Sequence, residues 1–188
     1  MMANQKQISV FVFSLTLSIT AFASTNEWQR FDSSNRFSVM YPGAWFRISA
    51  STDRLQLLSS KGGAEGIVIK RGQAEITVTE AQDSSTKTLT QVIDYYTQGV
   101  LVLSRKHIPG ETGKQGCSDL EEVTSKEQAI PSADSPIRVP YIINTDLFCE
   151  INGRKIVTLL RNWEGDKRQE EYQEVALRIA KGIRLTQY

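Results

Sequence analysis

Apolar and polar positions alternate from residue 37 to 41 in "FSVMYPGAWFRI", placing Phe37, Val39 and Tyr41 on one side of a strand. The pattern breaks at Pro42-Gly43. A proline at the second position of a turn and a glycine with positive φ at the third predict a type II corner, with Trp45 starting the return strand of a first hairpin. Short strands are predicted over residues 54–60, 66–70 and 74–80. In the last of these Ala74, Ile76 and Val78 share a face, and Gly62-Gly63 and Gly72 supply turns.

At Thr88 the period changes. Leu89, Val92, Ile93, Tyr96 and Val100 follow helical spacing, and Thr88 with Gln91 forms a capping box at the start. Residues 101–108 read as a strand, 109–116 as a loop and 117–124 as a strand. A connection over residues 126–140 follows, punctuated by Pro131, Pro136 and Pro140. Asn152-Gly153 between two apolar runs, "DLFCEINGRKIVTLL", predicts a two-residue hairpin turn. The register then sets Ile151 against Arg154, Glu150 against Lys155, Cys149 against Ile156 and Phe148 against Val157. One hairpin face carries Leu147, Cys149, Ile151, Ile156 and Leu160, and the other carries Ile142, Phe148, Val157 and Leu159. Apolar residues on both faces predict cover on both sides. Tyr172, Val175, Ala176, Ile179 and Ile183 form a second helical stripe, with Asp166 and Gln169 as its capping box. These elements make an α+β fold, an α/β/α sandwich with a curved, mostly antiparallel sheet between two amphipathic helices.

The first 23 residues change the picture of compartment. Lys6 precedes an apolar stretch over residues 8–22, and Ala21-Phe22-Ala23 is a small-x-small site, the layout of a secretory signal peptide cleaved after Ala23. A membrane anchor is the alternative, but Ser14, Thr16, Ser18 and Thr20 interrupt a stretch already short for a span. Residues 24–188 then form a single domain of ordinary size, expected to be periplasmic or extracellular. In that compartment Cys117 and Cys149 are expected to form a structural disulfide, with two buried free thiols as the alternative.

The 22 Lys and Arg balance 21 Asp and Glu, a neutrality that gives no support to nucleic-acid binding or to an anionic membrane surface. Candidate chemistry is sparse. His107, the one histidine, lies at a strand end beside Arg105 and Lys106. With Asp119 or Glu121 it is the one place where a metal-dependent or small-ligand enzyme site can be sought. Asp119, Glu121 and Glu122, and Glu170, Glu171 and Glu174, otherwise read as solvated faces of a strand and a helix. The glycine-rich residues 61–66 lack the phosphate-loop arrangement, and no serine sits in a hydrolase motif. No cofactor is expected. Trp28, Trp45 and Trp163 are candidate partner anchors where exposed and core residues otherwise, and the 126–140 connection is a candidate binding loop.

The segment "FDSSNRFSVMYPGAW", with Phe37, Tyr41, Pro42 and Trp45 in an F-x-x-x-Y-P-x-x-W pattern, resembles the N-terminal hairpin of PsbP-like and Mog-like domains. The element order over residues 27–185 is similar as well. The resemblance implies a mostly non-enzymatic group: extrinsic photosystem II subunits, a Ran-binding nuclear factor, and bacterial periplasmic proteins of the DcrB type. The leader makes this chain similar to the envelope members, with another envelope or periplasmic protein as partner. It departs from the lipoprotein members, because no cysteine follows the cleavage site to carry a lipid.

Overall fold

The computed structural model describes residues 27–34, 36–51, 54–60, 69–83, 85–109, 117, 119–128 and 141–186. The expected signal peptide, the glycine-rich residues 61–66 and most of the 126–140 connection lie outside them. The described elements run β1 (Trp28–Asp32), β2 (Phe37–Pro42), β3 (Phe46–Ser51), β4 (Arg54–Leu58), β5 (Ala74–Glu80), α1 (Leu89–Tyr96), β6 (Leu101–Pro109), β7 (Asp119–Gln128), β8 (Tyr141–Ile151), β9 (Arg154–Trp163), α2 (Gln169–Lys181) and β10 (Arg184–Leu185). The fold is α+β, with every strand pair antiparallel.

The strands form two sheets rather than the one that the hydrophobic pattern predicts. A seven-stranded sheet has the order β3-β4-β5-β9-β8-β7-β6, and a three-stranded sheet has the order β1-β2-β10. The Pro42-Gly43 corner is therefore not a hairpin. β2 pairs with β1 and β10, while β3 pairs with β4, so the corner carries the chain from one sheet to the other. Pro42 occupies the first turn position, its carbonyl accepting from the Trp45 amide at 3.0 Å, and Gly43 keeps negative φ. The expected type II geometry is absent because the chain leaves the sheet instead of folding back along it.

The β8–β9 hairpin holds the predicted register from Ile151–Arg154 to Phe148–Val157. Asn152 and Gly153 take φ of 50° and 78°, the positive values that a two-residue hairpin turn requires. Glu150 and Lys155 stand opposite each other with 3.7 Å between their charged atoms. Residues of alternate parity then build two cores. Leu147, Cys149, Ile151, Ile156 and Leu160 meet Tyr172, Ala176 and Ile179 of α2 and Ile183 just beyond it, together with Phe31, Phe37, Val39 and Tyr41 of the small sheet. On the opposite face Phe148, Val157 and Val123 meet Val92 and Ile93 of α1.

Both helices form where their stripes predict, with corrections at their ends. The Thr88–Gln91 capping box is present, but α1 stops at Tyr96, where the Thr97 amide and hydroxyl both donate to the Ile93 carbonyl, leaving Val100 beyond it. Asp166 does not cap α2. Its carboxylate accepts from the Arg168 amide at 2.9 Å in a local turn, so the helix starts only at Gln169 with Arg168 as N-cap. Ile69 and Lys70 are not strand, and residues 66–68 of that expected strand lie outside the described residues.

Cys117 and Cys149 are brought to disulfide distance, with their Cα atoms 5.6 Å apart and both residues buried in the larger core. Their bond closes a loop of 32 residues, which stabilises by about 3 to 4 kcal/mol in the chain-entropy model. The Cys117→Ser/Cys149→Ser variant is expected to lose about 10 °C in Tm by differential scanning calorimetry. An unchanged Tm would show that the pair contributes no constraint.

Candidate functional site

The sheet face that carries α1 is only partly apolar. The eight residues of α1 cover Phe148, Val157 and Val123 at one end. Further along the same face the register sets Asn144 and Asp146 of β8 beside Ser125 and Val123 of β7, and beside Arg161 and Leu159 of β9. Beyond them β5 contributes Thr77 and Glu75, and β4 contributes Arg54 and Gln56. Several of these groups satisfy one another. Gln56 donates to Glu75 at 2.5 Å, Thr77 donates to the same carboxylate at 3.3 Å, and Arg161 meets Glu127 at 2.6 Å.

Others are not satisfied in this way: Ser125 Oγ and Asn144 Oδ1 are buried without a hydrogen-bond partner, and beside them lies Asp146, buried at 6% exposed. Burial raises its carboxyl from the ordinary 3.8 to about 7; the Glu127 charge pushes the same way, and Arg161 opposes both. The Tyr96 phenol above it is raised as well, first by burial and then by the Tyr95 and Asp146 charges. The ring of Tyr96 packs edge-on against Phe148, with centroids 5.7 Å apart. The sequence pattern missed this polar patch because Phe148, Val157 and Leu159 marked the face as apolar. The signal was the parity of Asn144 and Asp146, which matches that of Phe148.

A second cluster lies on β6 and β7. His107 is the register partner of Glu121, with Nδ1 3.0 Å from Oε1, and Arg105 Nε donates to Oε2 of the same carboxylate at 3.1 Å. Burial alone would raise the Glu121 carboxyl, but the hydrogen bonds and charges of Arg105 and His107 outweigh it and hold it below the usual carboxylate range. The structure thus joins two of the residues that the sequence singled out. His107 remains half exposed, and Glu122 faces away from it as the register partner of Lys106. Asp119 begins β7 opposite Pro109. Glu170, Glu171 and Glu174 are exposed on α2, where Glu171 holds Arg168 at 2.6 Å. Among the described residues no group of three His, Cys, Asp or Glu side chains is placed to hold a metal ion.

The three tryptophans are structural. Trp45 is buried edge-on to Tyr172, Trp28 lies under the Arg178 guanidinium at 4.0 Å, and Trp163 donates to the Ile69 carbonyl at 2.8 Å. A run of consecutive exposed apolar residues lies instead on β6, the last strand of the seven-stranded sheet. Leu101, Val102 and Leu103 are 64%, 45% and 51% exposed in sequence, and a bulge between Val102 and Ser104 interrupts the pairing with β7.

The geometry defines the class: an α+β domain with an open antiparallel sheet, one long helix on one face and one short helix on the other. Solved structures similar to it include the Ran-binding protein Mog1p of Saccharomyces cerevisiae, 8% identical over 85% of this chain and 95% of that one, with a TM-score of 0.47. Cyanobacterial PsbP (CyanoP) from Synechocystis is 12% identical over 90% and 99%, with a TM-score of 0.43. These are the two kinds of domain that the Y-P-x-x-W segment resembles. A Bacteroides thetaiotaomicron protein is 10% identical with a TM-score of 0.48; the match takes in 87% of this chain but only 49% of the length of that one. No protein-family model matches the chain, and no curated protein matches it.

The Asp146 environment sets the sign of a pH effect. Its folded-state pKa lies above the unfolded one, so between 3.8 and about 7 the native state holds the proton that the unfolded chain releases. Stability therefore falls as pH rises through that window, by on the order of 4 kcal/mol once Asp146 is ionised in both states. Asp146→Asn is expected to remove this slope and raise Tm by several degrees at pH 8, read by circular-dichroism melts from pH 4 to 8. A variant that keeps the wild-type slope would show that Asp146 does not carry it.

Proposed function

We propose that this chain is an extracytoplasmic, non-catalytic protein-interaction module that docks a partner along the open edge of β6. The observation that carries the reading is three consecutive exposed apolar residues, Leu101, Val102 and Leu103, on a terminal strand whose outer side pairs with no described strand. An unpaired strand edge offers a row of backbone donors and acceptors to which an extended segment can add, and the side chains on both faces then select it. Export is supported by the leader pattern over residues 1–23 and by a cysteine pair at bonding distance, the arrangement favoured in oxidising compartments. The partner is accordingly another exported or envelope protein.

The test is photocrosslinking in cells, with a photoreactive residue at position 104 and a control on the outer face of α2 at position 170. A reproducible adduct is expected at 104 and not at 170. Leu101→Lys/Leu103→Lys should reduce it at least tenfold with unchanged far-UV circular dichroism, since both side chains are exposed. An undiminished adduct overturns docking at the edge, and the absence of an adduct from every surface position overturns the interaction reading itself.

The second reading, an enzyme with a small-ligand site at His107, is favoured by the hydrogen bond of His107 to Glu121. A stoichiometric metal in the purified protein that is lost in His107→Ala would support it, and a metal-free protein indifferent to that change would remove it.

A further inference from the structure

Three oxygen-bearing side chains stand together on the α1 face of the sheet, two of them without the donors they need. Ser125 and Asn144 are register partners on β7 and β8, and Asp146 follows Asn144 on the same side of β8. They are 1%, 8% and 6% exposed. Ser125 Oγ and Asn144 Oδ1 are buried with no hydrogen-bond partner, and the Asp146 carboxyl beside them lies in surroundings that disfavour its charge. A buried oxygen left without a donor destabilises the fold, and two side by side next to a buried carboxyl mark a place where a donor is missing. The nearest cation does not relieve it, because Arg161 is committed to Glu127 at 2.6 Å.

We propose that Ser125, Asn144 and Asp146 form a binding site for a primary ammonium group, the cationic head of a small alkylamine. A primary ammonium presents three N–H donors splayed from one nitrogen, matching three oxygens that rise from two neighbouring strands. The planar fork of a guanidinium needs a flat pair of acceptors instead. One carboxylate with two neutral oxygens matches a single positive charge, whereas a divalent cation calls for more anionic ligands than this patch has. The Tyr96 ring, above the same part of the face and held by Phe148, adds an aromatic wall beside the cation. This site is separate from the β6 edge and does not depend on it.

The charged and titratable groups around Asp146 are Tyr96 from α1, Glu127 from β7, and Arg161 and Arg54 from β9 and β4. The buried Asp146 carboxyl loses its proton around pH 7, so amine binding strengthens between pH 6 and 8 while an alkylammonium keeps its own charge.

The experiment is isothermal titration calorimetry of the purified protein with n-butylammonium chloride, against potassium chloride at equal ionic strength, at pH 6 and pH 8. Saturable one-to-one binding is expected with the amine and not with potassium, tightening at least threefold from pH 6 to pH 8. Asp146→Asn should weaken it at least tenfold while the variant melts no lower than the wild type, which separates loss of the site from loss of the fold. Ser125→Ala should weaken it several-fold. An amine response no larger than that of potassium, or equal binding by Asp146→Asn, would overturn the proposal.

Discussion

The register of the β8–β9 hairpin is the constraint on which the rest of the molecule depends. It is set by two consecutive residues with positive φ, Asn152 and Gly153, because that turn matches the twist of the strands it joins. Side chains alternate with period two, so a slip of one residue along either strand would exchange its faces. Leu147 and Cys149 would leave the α2 core, and Asn144 and Asp146 would enter it. The larger core, the smaller core under α1 and the polar patch all inherit their sides of the sheet from this one turn.

Other contacts reinforce that register from a distance. Cys149 is held to Cys117, just before β7, and β7 pairs with β8 without a shift from Leu120–Cys149 to Gln128–Tyr141. At the tip of the hairpin Arg154 meets the Glu80 carboxylate through two nitrogens, at 2.9 and 2.6 Å, and donates to the Arg36 carbonyl at 3.1 Å. One side chain thus ties the hairpin, the end of β5 and the entry to β2. The small sheet is docked to the large one by this charge-assisted contact as well as by the apolar residues of β2.

What the sequence made legible was what neighbouring residues decide among themselves. The Asn152-Gly153 turn, the capping box at Thr88 and the apolar stripes of α1 and α2 are written within a few positions each, and they folded as read. The Pro42-Gly43 corner was misread because its outcome depends on β10, whose Arg184 and Leu185 lie far along the chain and pair with Ser38 and Phe37. Asp166 was misread for the opposite reason: a side chain able to cap a helix found a nearer amide at Arg168. The polar patch was hidden by its apolar neighbours. The exposure of Leu101 to Leu103 was not legible either, since the strand over residues 101–108 carries no sign of its place until the sheet order puts it last.

The composition of that edge selects the kind of strand that can join it. A long open edge invites uncontrolled pairing, and β6 carries the devices that blunt it: a bulge after Val102, charged or titratable side chains at Arg105, Lys106 and His107, and Pro109 at its end. Two copies paired antiparallel over the whole strand would centre on Arg105 and set it against itself, a like-charge contact that disfavours self-association. Sliding the copies to avoid this leaves little more than the apolar residues in register. A different segment, apolar opposite Leu101 to Leu103 and acidic opposite Lys106, meets no such conflict. The same residues that leave the edge open to such a segment therefore protect it from a second copy of the chain.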